Sequence, residues 1–126
     1  MTKRVEHKYE FSFKVKDELL YSFISQARNL AIWFADKVDE SEGIITFHWK
    51  DNSERAKIVK SVPRKSISYK WIDREEEEYL TFAIDIDDVT GGVILTITEF
   101  DDEDQHQAGL LWWTNTLKNL RRKVGG

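Results

Sequence analysis

Glu99 and His106 are the pair in this chain whose types and positions could do acid–base chemistry. Glu99 follows Val93, Leu95 and Ile97 at steps of two, so it shares the inward parity of an alternating strand. His106 stands four residues before Leu110 and falls on the same face of the helix that follows. A carboxylate and an imidazole facing one cavity form a general acid–base arrangement. The plainer reading puts both at a solvated rim, because a pair without geometry defines no site. Lys60 also has inward parity, and its long stem suits an edge residue that reaches water.

The second group with chemical meaning is aromatic. Trp33, Phe47, Trp49, Trp71, Phe82 and Trp113 fall at inward positions of the elements that carry them. Such rings can line an apolar ligand cavity, with Glu99 and His106 as its few placed polar groups. The same rings can equally fill a core. Trp112 stands about 100° round the helix from Trp113, off the apolar stripe. An indole there implies the sheet rim, a protein partner or a second copy of the chain.

Other chemistries have no residues to carry them. The 126-residue chain has no cysteine, hence no disulfide, thiolate nucleophile or Cys-type metal site. Asp85, Asp87, Asp88 and Asp101–Asp104 lack calcium-loop spacing and read as solvated turns and a helix start. His7 and His48 have no partner at metal-ligand spacing. Gly91-Gly92 is a hairpin turn and no G-x-S-x-G occurs. No catalytic residue, metal ligand or cofactor is therefore assigned. A net charge of −4 and a pI near 5.4 argue against nucleic acid as a partner. No window approaches about 18 continuous apolar residues, so no membrane span is expected. MTKRVEHKYEF has no signal-like apolar run, and the expected location is cytoplasmic.

The elements that must position these groups are legible in outline. The length and the absence of linkers predict one domain over residues 1–126. Val5, His7, Tyr9, Phe11, Phe13 and Val15 alternate with polar residues and predict a half-buried strand. Asp17 is the expected cap of a short helix carrying Leu19, Leu20, Phe23 and Ile24. Residues 29–35 predict a second short helix. Strands follow over 44–50 and 55–62, the latter closed by Pro63, then at Ile67–Trp71, Leu80–Ile86 and from Val93. Residues 73–78, DREEEE, read as a solvated turn. Leu110, Trp113, Leu117, Leu120 and Val124, at spacings of three and four, predict a long helix over 102–123. Asp102 is its expected N-cap, with Gln105 completing a capping box, and Gly125 and Gly126 stop it. Short turns imply an antiparallel sheet whose apolar face the last helix covers.

Several segments resemble the START-like superfamily (SRPBCC, birch-pollen-allergen-like, helix-grip). They are Trp33-Phe34, the run AKIVKSVPRKSISYKW at 56–71, GGVILTIT from Gly91, and the Trp113/Leu117/Leu120 helix. Within that superfamily they are most similar to homologues of the C-terminal domain of heat-shock-chaperone ATPase activators. The resemblance implies an α+β helix-grip fold, with a curved antiparallel sheet of about six or seven strands around a long C-terminal helix and two short helices after the first strand. Relatives often have Gly before the helix Trp, where this chain has Trp112.

Three functions follow as expectations. The leading one is a non-catalytic module holding a small hydrophobic ligand, such as a lipid, between sheet and long helix. The alternative, implied by the chaperone-activator resemblance, is a protein-interaction module with a filled core. A cyclase- or hydratase-like use of Glu99 and His106 comes third.

Overall fold

The computed structural model describes residues 3–125, in which the alternating segments form one seven-stranded antiparallel sheet. The strands are β1 (Arg4–Phe13), β2 (Lys37–Ser41), β3 (Ile44–His48), β4 (Ser53–Val62), β5 (Ser66–Trp71), β6 (Tyr79–Ile86) and β7 (Val93–Asp102). Their order, β1-β7-β6-β5-β4-β3-β2, is a meander from β2 to β7 with β1 added beside β7. The chain crosses from one edge to the other through two short helices, α1 (Asp17–Ser25) and α2 (Ala27–Trp33). A 3-10 turn, Glu103–Gln105, then leads into α3 (His106–Val124), which lays Trp113, Leu117 and Leu120 against the sheet. The fold is α+β, with the long C-terminal helix over an open curved sheet.

The helix begins four residues later than its acidic start implied. Asp102 ends β7 instead, paired with Arg4 across the sheet, and its side chain caps nothing. Gln105 takes the N-cap position without a side-chain capping hydrogen bond. At the other end Gly125 adopts the left-handed conformation expected of a helix stop, and its N–H bonds the Arg121 carbonyl. Gly126 lies outside the described residues. Asp17 is the first residue of α1 and not its cap, which is Lys16. The second helix runs over Ala27–Trp33, two residues earlier than its apolar residues suggested.

The sheet also corrects the sequence reading. Strand β2 was not distinguished, because KVDES carries a single apolar residue, Val38, at an open edge. A bulge between Ile58 and Lys60 shifts the register of β4 against β5. The extra residue reverses the parity beyond it, so Lys60 is exposed opposite Ser68 while Ser61 meets Tyr21. Ile86 is exposed where β6 leaves the core. Glu78, expected in a solvated turn, is 3% exposed.

Aromatic rings fill most of the space between sheet and α3. Phe34 stacks on Trp113 with centroids 5.7 Å apart and meets Phe47 and Phe82 edge-on. Trp33 packs against Phe82 and Trp113 and donates its indole N–H to the Phe23 carbonyl at 2.8 Å. Tyr69 donates to the Ile24 carbonyl at 2.6 Å. Among the described residues no buried side-chain nitrogen or oxygen lacks a partner, so the ring-rich core carries no unmet polar cost.

Candidate functional site

The core does not fill the whole grip. At the end where β3 turns into β4, β5 into β6, and β7 into α3, an open cleft of about 460 Å³ remains. Phe34, just beyond α2, forms its floor with Leu80 and Trp113. Trp49 and Trp71 come from the ends of neighbouring hairpins, and Phe100 from the end of β7. Trp112 closes the α3 side. It is 43% exposed, lies 6.1 Å edge-on from Phe34 and 4.8 Å edge-on from Trp113. The indole of Trp49 is anchored by its N–H to the Phe34 carbonyl at 2.9 Å.

Glu99 is the polar residue set deepest among these rings. Its Oε2 accepts the Trp113 indole N–H at 3.0 Å, and no described residue bonds its other oxygen. Burial pushes the carboxyl above the usual carboxylate range, while the indole N–H opposes that shift. Gly109 of α3 lets this carboxylate sit close to the helix. A Cβ there would run into the Tyr9 hydroxyl and come within 3.1 Å of Glu99 Oε2.

The rest of the rim is ionic. Arg74 lies over the Trp71 ring at 4.8 Å and gives its N–H groups to both Glu54 oxygens and to Glu78 Oε1. Arg4 reaches across from β1 to Glu78 at 2.7 Å and to Asp101 at 3.5 Å. The two guanidiniums, Arg4 first, hold the Glu78 carboxyl below its ordinary range against its burial. Glu78 thus ties the β5–β6 turn to the edge strand behind the cleft.

Of the residues singled out from sequence, Trp49, Trp71, Glu99, Trp112 and Trp113 line the cleft. Trp33, Phe47 and Phe82 lie behind it in the packed core. His106 is bonded to His7 and not to Glu99. Its Nδ1 meets His7 Nδ1 at 3.0 Å, and His7 Nε2 lies 3.0 Å from the Asp102 carbonyl. A carbonyl only accepts, so His7 donates through Nε2, and in a neutral His7 ring Nδ1 is then the acceptor for His106. No hydrogen bond joins Glu99 to His106, and the acid–base pair is not assembled. Phe34, Glu54 and Arg74 were missed; Glu54 stands 20 positions from Arg74, and Glu78, four positions from it, is hidden in an acidic run that reads as a solvated turn. No group of three potential ligands among the described residues could hold a metal.

A family model described as the START-like superfamily domain matches residues 1–126. The chain belongs to the START-like superfamily. Members of this superfamily include ligand-binding and polyketide-cyclase-like proteins on one fold. This START-like chain is similar to the Aha1 dimer from Colwellia psychrerythraea, with TM-score 0.79 and 14% identity over 95% of this chain and 96% of that one. The solution structure of BfR322 from Bacteroides fragilis is 28% identical, with TM-score 0.61 over 97% and 90% of the two chains. DynU16, from the dynemicin biosynthetic locus, gives TM-score 0.78 at 12% identity over 95% of this chain and 47% of that one. No curated protein matches the sequence. Among the described residues no helix is long and apolar enough to cross a membrane.

Proposed function

We propose that this START-like protein is a non-catalytic binding module that takes a small, largely apolar molecule into the cleft at the open end of the grip. The observation that carries the reading is the convergence of Trp49, Trp71, Trp112, Trp113, Phe34 and Phe100 on a space of about 460 Å³. That volume lies within the range of small-molecule sites, which are typically apolar with a few placed polar groups. Glu99 is the placed group. Trp33, Phe47 and Phe82 act as the rigid backing of the cleft walls, and His106 fastens the start of α3 to β1. The ligand sits at the end of the helix, since rings occupy the middle of the grip.

Non-catalytic use is favoured by the separate hydrogen bonds of Glu99 and His106, which leave no general acid–base pair. The protein-interaction reading keeps one specific support. Leu111, 63% exposed, adjoins Trp112 on the outer side of α3 and offers an apolar contact for a partner or a second copy.

A panel of fatty acids, sterols, flavonoids and polyketide-like aromatics, read by melting temperature and indole fluorescence, tests the proposal. A ligand at a hundredfold excess over its Kd adds about 2.7 kcal/mol of stability. Binding by some member should raise the melting temperature and shift indole emission together. A panel without any effect, combined with self-association lost on replacing Trp112 by Ala, would transfer the function to the protein-interaction reading.

A further inference from the structure

The cleft combines two properties that a purely apolar ligand would not use. Its walls are built largely of indole and phenyl rings, whose faces attract positive charge through the ring quadrupole. Its polar groups are predominantly acidic. Glu54, Glu99 and Asp101 line it, and Glu78 and Asp102 stand behind them. Against these five carboxylates the same end carries the guanidiniums of Arg4 and Arg74. Both are already engaged: Arg74 with Glu54 and Glu78, Arg4 with Glu78 and Asp101. The free oxygen of Glu99 faces neither of them through a hydrogen bond.

Charge complementarity therefore selects among apolar ligands. A fatty acid or another carboxylate would bring its negative head into a rim with an excess of carboxylates and no uncommitted guanidinium. A neutral ligand would leave Glu99 with only the Trp113 indole as a partner. Resting on the ligand-binding reading above, we infer that the occupant is an amphipathic organic cation, with its ammonium or amidinium head at Glu99 among Trp112, Trp113 and Phe34 and its apolar body along Trp49 and Trp71. Trp112 has a function in this arrangement that a smaller residue could not supply, because it completes the ring enclosure on the helix side.

Three naphthyl probes of the same shape test this with the full chain. One ends in trimethylammonium, one in the uncharged tert-butyl isostere and one in carboxylate, and binding is read by calorimetry. The cation should bind about tenfold or more tighter than the neutral isostere, the carboxylate should be weakest, and added salt should narrow the gap. Glu99→Gln should reduce the preference for the cation severalfold while leaving the neutral probe little changed. Trp112→Ala should weaken the cation more than the neutral probe. Equal binding of all three, or a preference for the carboxylate, overturns the cation assignment and leaves the cleft as a ligand site. Failure of all three to bind removes the cation assignment, and the ligand reading then stands or falls on the panel of fatty acids, sterols, flavonoids and aromatics. A full cation preference in folded Glu99→Gln and Glu54→Gln variants would also overturn the assignment, since no acidic anchor would then be acting.

Discussion

Replacing Trp113 with Ala should be among the most damaging single substitutions in the chain. Trp113 is 2% exposed and touches four other rings, Trp33, Phe34, Phe82 and Trp112, at centroid distances between 4.8 and 6.5 Å. Truncating a buried indole to a methyl group costs about 3–5 kcal/mol through lost transfer energy and the cavity left behind. The open cleft beside it lets water reach part of the void. The Glu99 carboxylate loses its indole donor as well, but water reaching the cleft can replace that bond. The expected loss is therefore about 3–4 kcal/mol, a large share of the roughly 5–15 kcal/mol available to a domain. Urea unfolding followed by far-UV circular dichroism avoids the change in tryptophan signal. An unchanged slope with a loss below about 1 kcal/mol would refute the docking of α3 on which the fold depends.

Two carboxylates should show opposite pH behaviour. Glu78 has a lowered folded-state pKa, so its contribution is present above the ordinary Glu range and lost as pH falls through the folded value. Glu78→Gln should cost about 2 kcal/mol at neutral pH and flatten the acid limb of the stability curve. Glu99 has a raised pKa, so its contribution is present below the ordinary range and lost as pH rises through the folded value. Glu99→Gln should remove that slope and be no less stable than the parent at pH 7, since the amide oxygen still accepts from Trp113. A parallel pH profile for both variants would contradict these assignments. Gly109→Ala gains about 1 kcal/mol of helix propensity but forces a methyl group onto Tyr9, at a cost of about 1–3 kcal/mol. Net destabilisation that is relieved by adding Tyr9→Phe in a double-mutant cycle is expected; a stabilised single variant would show the contact is not tight. Removing residues 102–126 uncovers the sheet's apolar face and should give an aggregating chain, checked by loss of amide dispersion.

The architecture was readable wherever hydrophobic period and turn chemistry agreed. β5 to β7 and the stripe of α3 are such places. β2 was hidden because an edge strand with one apolar residue has no period to detect. Asp102 looked like a helix cap because acids cluster there, yet pairing with Arg4 keeps it in the sheet. Lys60 broke the parity of its strand, and that anomaly was the trace of the bulge. Within the site, parity indicated which rings face the helix but not how deep each one lies. Trp71 and Phe47 have the same parity on different strands, yet only Trp71 reaches the cleft. The ion network of Arg4, Glu54, Arg74 and Glu78 was illegible because Arg4 and Glu78 stand 74 positions apart and Arg74 and Glu54 stand 20 apart. The acidic run that contains Glu78 resembles a solvated turn until its partners are known.

The five tryptophans offer the most direct test that the cleft is the functional site. Trp49, Trp71, Trp112 and Trp113 line it, while the Trp33 indole N–H is bonded to the Phe23 carbonyl inside the core. Titration of the naphthyl ammonium probe should be followed by the indole N–H resonances in nuclear magnetic resonance spectra. Saturable shifts of the four cleft indoles, with Trp33 little moved, are the predicted result. Unmoved cleft indoles, or a Trp33 shift as large as theirs, would contradict the account.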